Sequence, residues 1–178
     1  TGSCSGNSPV CEGDPLMLTR TGGSSWSWVG PAGFTSTLQN PLINHPLPVN
    51  SGDYIFRAIH NGCKSIPDTV SVEVIPVAAV SVSVSVSENQ VCEGTVVTFT
   101  SNPVGGGLNP TFQWYKNTIP VGNGSGYTCT PANGDEVYCI LTSGLECQTG
   151  SPATSNVINM VVYPVIRSEE HTSELQSR

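Results

Sequence analysis

Valine and serine alternate without interruption from Val80 to Ser87. Such alternation puts every apolar side chain on one face of a strand and every hydroxyl on the other. Looser versions recur along the chain, in "PLMLTRT" from Pro15, "YIFRAI" from Tyr54, "DTVSVEVIPV" from Asp68, "TVVTFTS" from Thr95, "EVYCIL" from Glu136 and "NVINMVVYPV" from Asn156. Strand signals spaced by about 8–12 residues, with Gly, Pro and Asn between them, predict antiparallel β-sandwich architecture. A low-complexity linker is the alternative for the Val/Ser run, and the strand is the preferred reading.

The pattern occurs twice. "VCEG" stands at Val10–Gly13 and again at Val91–Gly94. Each copy precedes a strand-like run and then an aromatic pair at i, i+2: Trp26 and Trp28, then Phe112 and Trp114. Alternate residues share a strand face, so each pair is expected in a core. A Gly-Asp step follows at Gly52-Asp53 and Gly134-Asp135, and then a cysteine, Cys63 or Cys147. A repeat of about 80–85 residues suits tandem small domains rather than a solenoid. The expected fold is therefore all-β, with two tandem Ig-like antiparallel β-sandwich domains. Residues 1–9 are an N-terminal fragment or linker. Residues 10–76 form the first domain, and residues 77–166 form the second, whose first strand is 80–87.

Composition agrees with this pattern. Charged residues are only 11%, while Gly numbers 19 and Pro 14. That mixture favours short strands and turns over helices. Disorder is opposed by three Trp, five Tyr, four Phe and seven Cys, which give the chain something to bury. The net charge of −7 argues against nucleic acid or an anionic membrane surface as partner. No apolar run reaches the length of a membrane span, so no membrane insertion is expected.

The last twelve residues, "RSEEHTSELQSR", differ in character from the rest. Glu169, Glu170, His171 and Glu174 have the look of a helical metal cluster. The stronger reading is that the string resembles an in-frame translation of a common sequencing-adapter oligonucleotide. Residues 167–178 are therefore expected to be a non-native tail, and both ends of the chain to be cut from something longer.

Seven cysteines in a chain this short suggest an oxidising compartment. Zinc is disfavoured, since no C-x-x-C occurs and the spacings fit no standard knuckle. The repeat proposes Cys11–Cys63 and Cys92–Cys147 as bridges. Closing loops of that length is worth roughly 4 kcal/mol in the chain-entropy model. Cys129 and Cys139 flank a turn and are candidates for a third, local bridge, the alternative being a buried free thiol at Cys139. Cys4 has no counterpart.

The strings around the two VCEG copies resemble the Ig-like and PKD-like repeats of large secreted surface proteins of Bacteroidetes-type bacteria. The most specific are W-x-G-P-x-G-F at Trp28–Phe34 and "PANGD…C…TS…C" from Pro131. The resemblance covers about residues 8–165. It implies tandem modules within a very long protein exported by a type IX system. "NSGDY", Asn50–Tyr54, resembles the tyrosine corner of Ig-like domains, in which Tyr54 would bond back to the main chain. The second unit has Glu136 at that place in the repeat alignment, which puts the corner in doubt there.

Chemistry-bearing motifs are sparse. Outside the tail the only histidines are His45 and His60, both in turn-like contexts, and no nucleophile elbow or phosphate loop occurs. "GGG" at Gly105–Gly107 reads as a flexible loop. Asp135 and Glu136 are adjacent on a strand and point to opposite faces, so they cannot flank one glycosidic bond. Asp14, Asp53 and Asp135 lie near turns, where Ca²⁺ at a domain edge is a minor alternative. Asn123-Gly124-Ser125 matches a glycosylation sequon in a Gly-rich turn. No catalytic residue, metal or cofactor is expected. The leading expectation is a non-enzymatic extracellular or cell-surface module with structural or adhesive work. Its partners would be neighbouring domains of the same polypeptide and surface glycans or proteins. The alternative is a carbohydrate-binding accessory module of a secreted hydrolase, which would use Trp26, Trp28 and Trp114 as an exposed platform.

Overall fold

A computed structural model describes residues 3–166, apart from Gly23 and Asn61. The tail residues 167–178, and the expectation attached to them, lie outside the described residues. The chain divides into two compact units, the first ending at Ala78 and the second starting at Ala79. Each is an antiparallel sandwich, and the described residues contain short 3₁₀ turns but no α-helix. Among the described residues no helix is long and apolar enough to cross a membrane.

In the first unit, one sheet pairs Cys4–Gly6, Leu16–Arg20 and Leu42–Ile43. The other centres on Ser25–Val29 and the long Gly52–His60 strand, with Thr35–Ser36 and Asp68–Val72 flanking them. Inward residues from both sheets close the core: Leu16, Leu18, Trp28, Tyr54, Phe56 and Val72 are buried. Trp28 and Phe56 are cross-strand partners, and their rings pack with centroids 4.9 Å apart.

The second unit repeats this order. One sheet pairs Ser81–Val86, Val97–Val104 and Gly126–Cys129. The other pairs Ile119–Asn123, Thr111–Lys116 and Glu136–Thr142, with short strands at Ala153–Thr154 and Ile158–Asn159 beyond. Val97, Phe99, Trp114, Val137, Cys139 and Met160 form its core. A fully buried aromatic of this size contributes about 4–6 kcal/mol by area, before conformational entropy is subtracted. The Val/Ser run is a strand and not a free linker: Val82 and Val84 are buried, while Ser81, Ser83 and Ser85 are exposed.

The two VCEG segments are alike down to individual hydrogen bonds. Val10–Cys11 runs parallel to Val74–Ile75, and Gln90–Cys92 runs parallel to Val161–Tyr163. Glu12 N–H donates to the Ile75 carbonyl at 2.8 Å, and Glu93 N–H to that of Tyr163 at 2.8 Å. The chain then turns at Gly13 and Gly94, both with φ of 89°. That left-handed conformation is what a glycine supplies without strain. The indole pairs match too, since Trp28 Nε1 donates to the Leu38 carbonyl and Trp114 Nε1 to that of Gly124, each ten residues on.

Register corrects the repeat alignment by one position. Trp28 pairs with Phe56 and Trp114 with Cys139, so Val137, not Glu136, stands where Tyr54 stands. The tyrosine corner is present in the first unit, where Tyr54 Oη donates to the Asn50 carbonyl at 2.9 Å. In the second unit Asp135 holds the corresponding corner. Its carboxylate accepts from Ala132 N–H at 2.8 Å and Asn117 Nδ2 at 2.7 Å, and Lys116 Nζ lies 3.1 Å away.

The expected cysteine staples are not formed. Cys63, Cys92, Cys129 and Cys139 are free thiols, whereas Cys11 and Cys147 are disulfide-bonded. Strand register explains why Cys11 and Cys63 do not meet. Cys11 lies beside Ile75 at the Gly52 end of the long strand, and Cys63 pairs with His60 at the other. Eight strand steps separate those ends by roughly 26 Å, and a disulfide needs Cα atoms within about 7 Å. Cys92 lies likewise at the Glu136 end of its unit, beside Tyr163, while Cys147 follows the Thr142 end. The expected local bridge fails because residues 130–135 cross from one sheet to the other. Cys129 pairs with Val97 on the first sheet, and Cys139 sits mid-strand beside Trp114 on the second.

Candidate functional site

Among the described residues, acid–base chemistry has little to work with. His60 Nδ1 lies 3.3 Å from Ser24 Oγ, but both are exposed at a strand end, and the Ser24 hydroxyl donates to the Ile59 carbonyl. His45 is in a turn with φ of 52°. Asp53 accepts from Ser71 Oγ at 2.6 Å, and Asp135 is committed to its corner. Asp14, Asp53 and Asp135 are not gathered, and among the described residues no group of three or more His, Cys, Asp or Glu could hold a metal.

The electrostatics of the ionisable side chains are structural. Burial alone would raise the Asp135 carboxyl. The Ala132 N–H, the Asn117 amide and the Lys116 ammonium outweigh it and hold the group below the usual carboxylate range. Burial pushes the Cys139 thiol up to about 11. Burial, reinforced by Asp68, does the same to Cys4, also to about 11. Neither is an activated nucleophile, because it is the thiolate that reacts.

The tryptophans belong to the interior. Trp28 and Trp114 are buried, and Trp26 is half-buried against the first core with Nε1 donating to Gly22. Phe112 is half-buried at the end of the second core.

A concave site exists elsewhere, on the face opposite Trp114. The register Gln113↔Ile140 and Tyr115↔Tyr138 sets these four side chains on the outer face of the second unit's larger sheet. Thr111 and Thr142 continue the row. A cavity of about 490 Å³ opens there, lined among others by Phe112, Gln113, Asn123, Ile140 and Thr142. The Gln113 amide is fixed in orientation. Its Nε2 donates to the carbonyls of Trp114 and Gly122, at 3.2 and 3.0 Å, and fills the bulge between Trp114 and Tyr115. Two residues along each strand, the Tyr115 and Tyr138 rings stack with centroids 5.1 Å apart and planes 8° from parallel. Attention to the inward aromatics Phe112 and Trp114 passed over their outward neighbours. Strict alternation around Trp114 and Cys139 is the signal that finds them.

No protein-family model matches the chain, and no curated protein matches it. Among solved structures it is similar to murine CEACAM1b, at 14% identity and a TM-score of 0.45, over 92% of this chain and 100% of that one. It is also similar to the fibronectin(III)-like modules of Clostridium thermocellum CbhA, at 13% identity and a TM-score of 0.38, over 90% and 94%. The first three domains of the bacteriophage RB49 outer capsid protein Hoc match at 14% identity and a TM-score of 0.42, over 91% of this chain and 59% of that one. The fold class rests on the strand pairing described above.

Proposed function

We propose that this chain is a non-enzymatic extracellular module, a segment of a larger multidomain cell-surface or secreted protein with structural and adhesive work. The observation that carries the reading is the twice-built frame. Both units pin a VCEG strand onto their own last strand by the same bonds, so one self-contained design is strung in series. The disulfide state of Cys11 and Cys147 supports an oxidising compartment, and the sequence resemblance to bacterial surface repeats supports a long modular parent. Candidate partners are the flanking domains of the same polypeptide and surface proteins or glycans. A hydrolase accessory using the tryptophans as a platform is not favoured, because Trp28 and Trp114 are buried in the cores.

The test is to immobilise the full chain on beads and measure retention on cell and polysaccharide surfaces, alongside assays on glycoside, ester and peptide substrates. Retention without turnover is expected. Turnover that disappears on Ser24→Ala or His60→Ala would sink the proposal.

A further inference from the structure

We infer that the outer face of the second unit's larger sheet is a binding site for a neutral saccharide, seated in the Gln113–Ile140 cavity and reaching toward the Tyr115/Tyr138 pair. The inference deepens the adhesive reading above and rests on it.

The lining of the cavity selects the class of ligand. It holds apolar surface from Pro110 and Ile140 beside the amides and hydroxyls of Gln113, Asn123 and Thr142, and no ionisable side chain. A charged ligand would find no counter-ion there, and a fully apolar one would strand the amides. A sugar ring has apolar C–H faces and a rim of hydroxyls, and it matches both halves. Gln113 contributes a preset group: its Nε2 is tied to two carbonyls, so Oε1 is left as an oriented acceptor with no hydrogen bond to a described residue. Holding that orientation in advance lowers the entropy cost of binding. Asn123 is exposed, and its side-chain amide takes no hydrogen bond from a described residue. The tyrosine pair extends the same face by about 7 Å, two strand steps, and offers aromatic surface to a following sugar.

An extended peptide is the competing occupant, and the sheet edge disfavours it. The edge strand beside the cavity, Ile119–Asn123, contains Pro120 and pairs through a bulge. Proline has no N–H to offer a ladder, so strand addition is blocked at that position.

The experiment uses the full chain. Binding of neutral hexasaccharides (cello-, xylo-, manno- and chito-oligomers) and of acidic uronate oligomers is measured by calorimetry and by NMR shift mapping. Glycoprotein glycans, before and after enzymatic deglycosylation, distinguish a polysaccharide source from a glycoprotein one. At least one neutral glycan is expected to bind and to shift resonances of Thr111, Gln113 and Ile140. Thr142→Arg at the exposed lip and Ile140→Arg in the floor are each expected to weaken binding at least tenfold, and Tyr138→Ala at least threefold. Thr98→Arg, on the outer face of the opposite sheet, is expected to leave binding unchanged. Because Ile140→Arg can perturb folding, the deciding variant is Thr142→Arg, with an unshifted Trp114 indole N–H resonance as its folding control. The inference is overturned by binding of acidic glycans or peptides only, by no glycan binding, or by a Thr142→Arg chain that binds like the parent. Those outcomes leave the modular reading standing, since bead retention through protein partners would persist.

Discussion

Replacing Asp135 by asparagine tests the account of the second unit's corner most directly. The carboxylate is 8% exposed, and its Oδ2 serves both Ala132 N–H and Lys116 Nζ while Oδ1 serves Asn117 Nδ2. Asn117 cannot turn its amide over to compensate, because its own Oδ1 accepts Glu136 N–H at 2.9 Å. The introduced NH₂ therefore opposes a donor in either orientation. One charge-assisted hydrogen bond is worth about 1.5–3 kcal/mol, and breaking a buried ion pair costs about 3–5. Lys116 is 30% exposed, and that screening pulls the second figure down. The expected loss is about 3 kcal/mol, confined to the second unit. Native-state hydrogen exchange of peptides covering Glu136–Thr142 reads it, with peptides of Gly52–His60 as the unaffected control. The pH dependence is a second check. Because the folded pKa of Asp135 lies below its unfolded value, its contribution is complete above about pH 4 and is lost as pH falls through the lowered folded value. The gap between parent and Asp135→Asn should thus close in acid. A loss under 1 kcal/mol, or a gap that stays constant from neutral pH to pH 2, would refute the reasoning.

Other perturbations have separate causes. Tyr54→Phe removes the hydroxyl from the Asn50 carbonyl and should cost the first unit about 1–2 kcal/mol; an unchanged urea midpoint would mean that the corner adds nothing to stability. Gly30→Ala would set a Cβ 2.5 Å from the Tyr54 ring, although φ of −160° suits any residue. A purely steric loss of about 1–3 kcal/mol is expected, and a neutral outcome in thermal unfolding would show that the ring can move. Under non-denaturing conditions an aromatic disulfide reagent should label exposed Cys63 and Cys92 fast and buried Cys139 only on unfolding; rapid Cys139 labelling contradicts the packing.

Much of the fold was legible because its signals are local. Alternation around Trp28 and Trp114, and the glycine at each VCEG turn, depend on nearest neighbours along a strand. The staples were not legible, since matched cysteines in a repeat say nothing about which end of a long strand each occupies. Only the pairing of His60 with Cys63 and of Cys11 with Ile75 decides that. The counterpart of Tyr54 was misplaced at Glu136 for a similar reason, as a shift of one residue in an alignment moves every side chain to the other face. The outer-face cavity was hidden because its residues are individually ordinary. Gln113, Ile140 and Thr142 acquire meaning once two strands place them together.

The parallel pairing of each VCEG strand with the last strand of its unit has a mechanical side. In each unit, a pull on the two chain ends draws Val10–Cys11 against Val74–Ile75, or Gln90–Cys92 against Val161–Tyr163, along the strand axis. The bonds of Glu12 to Ile75 and of Glu93 to Tyr163 then carry load in shear, together with their neighbours, instead of opening one at a time like a zipper. A chain of such units under tension would hold and then yield domain by domain. With the disulfide at Cys11 and Cys147 reduced, single-molecule extension would record that as separate rupture events, each with its own length of released chain. The tetrapeptide pinned to the last strand of each unit is in that sense its latch.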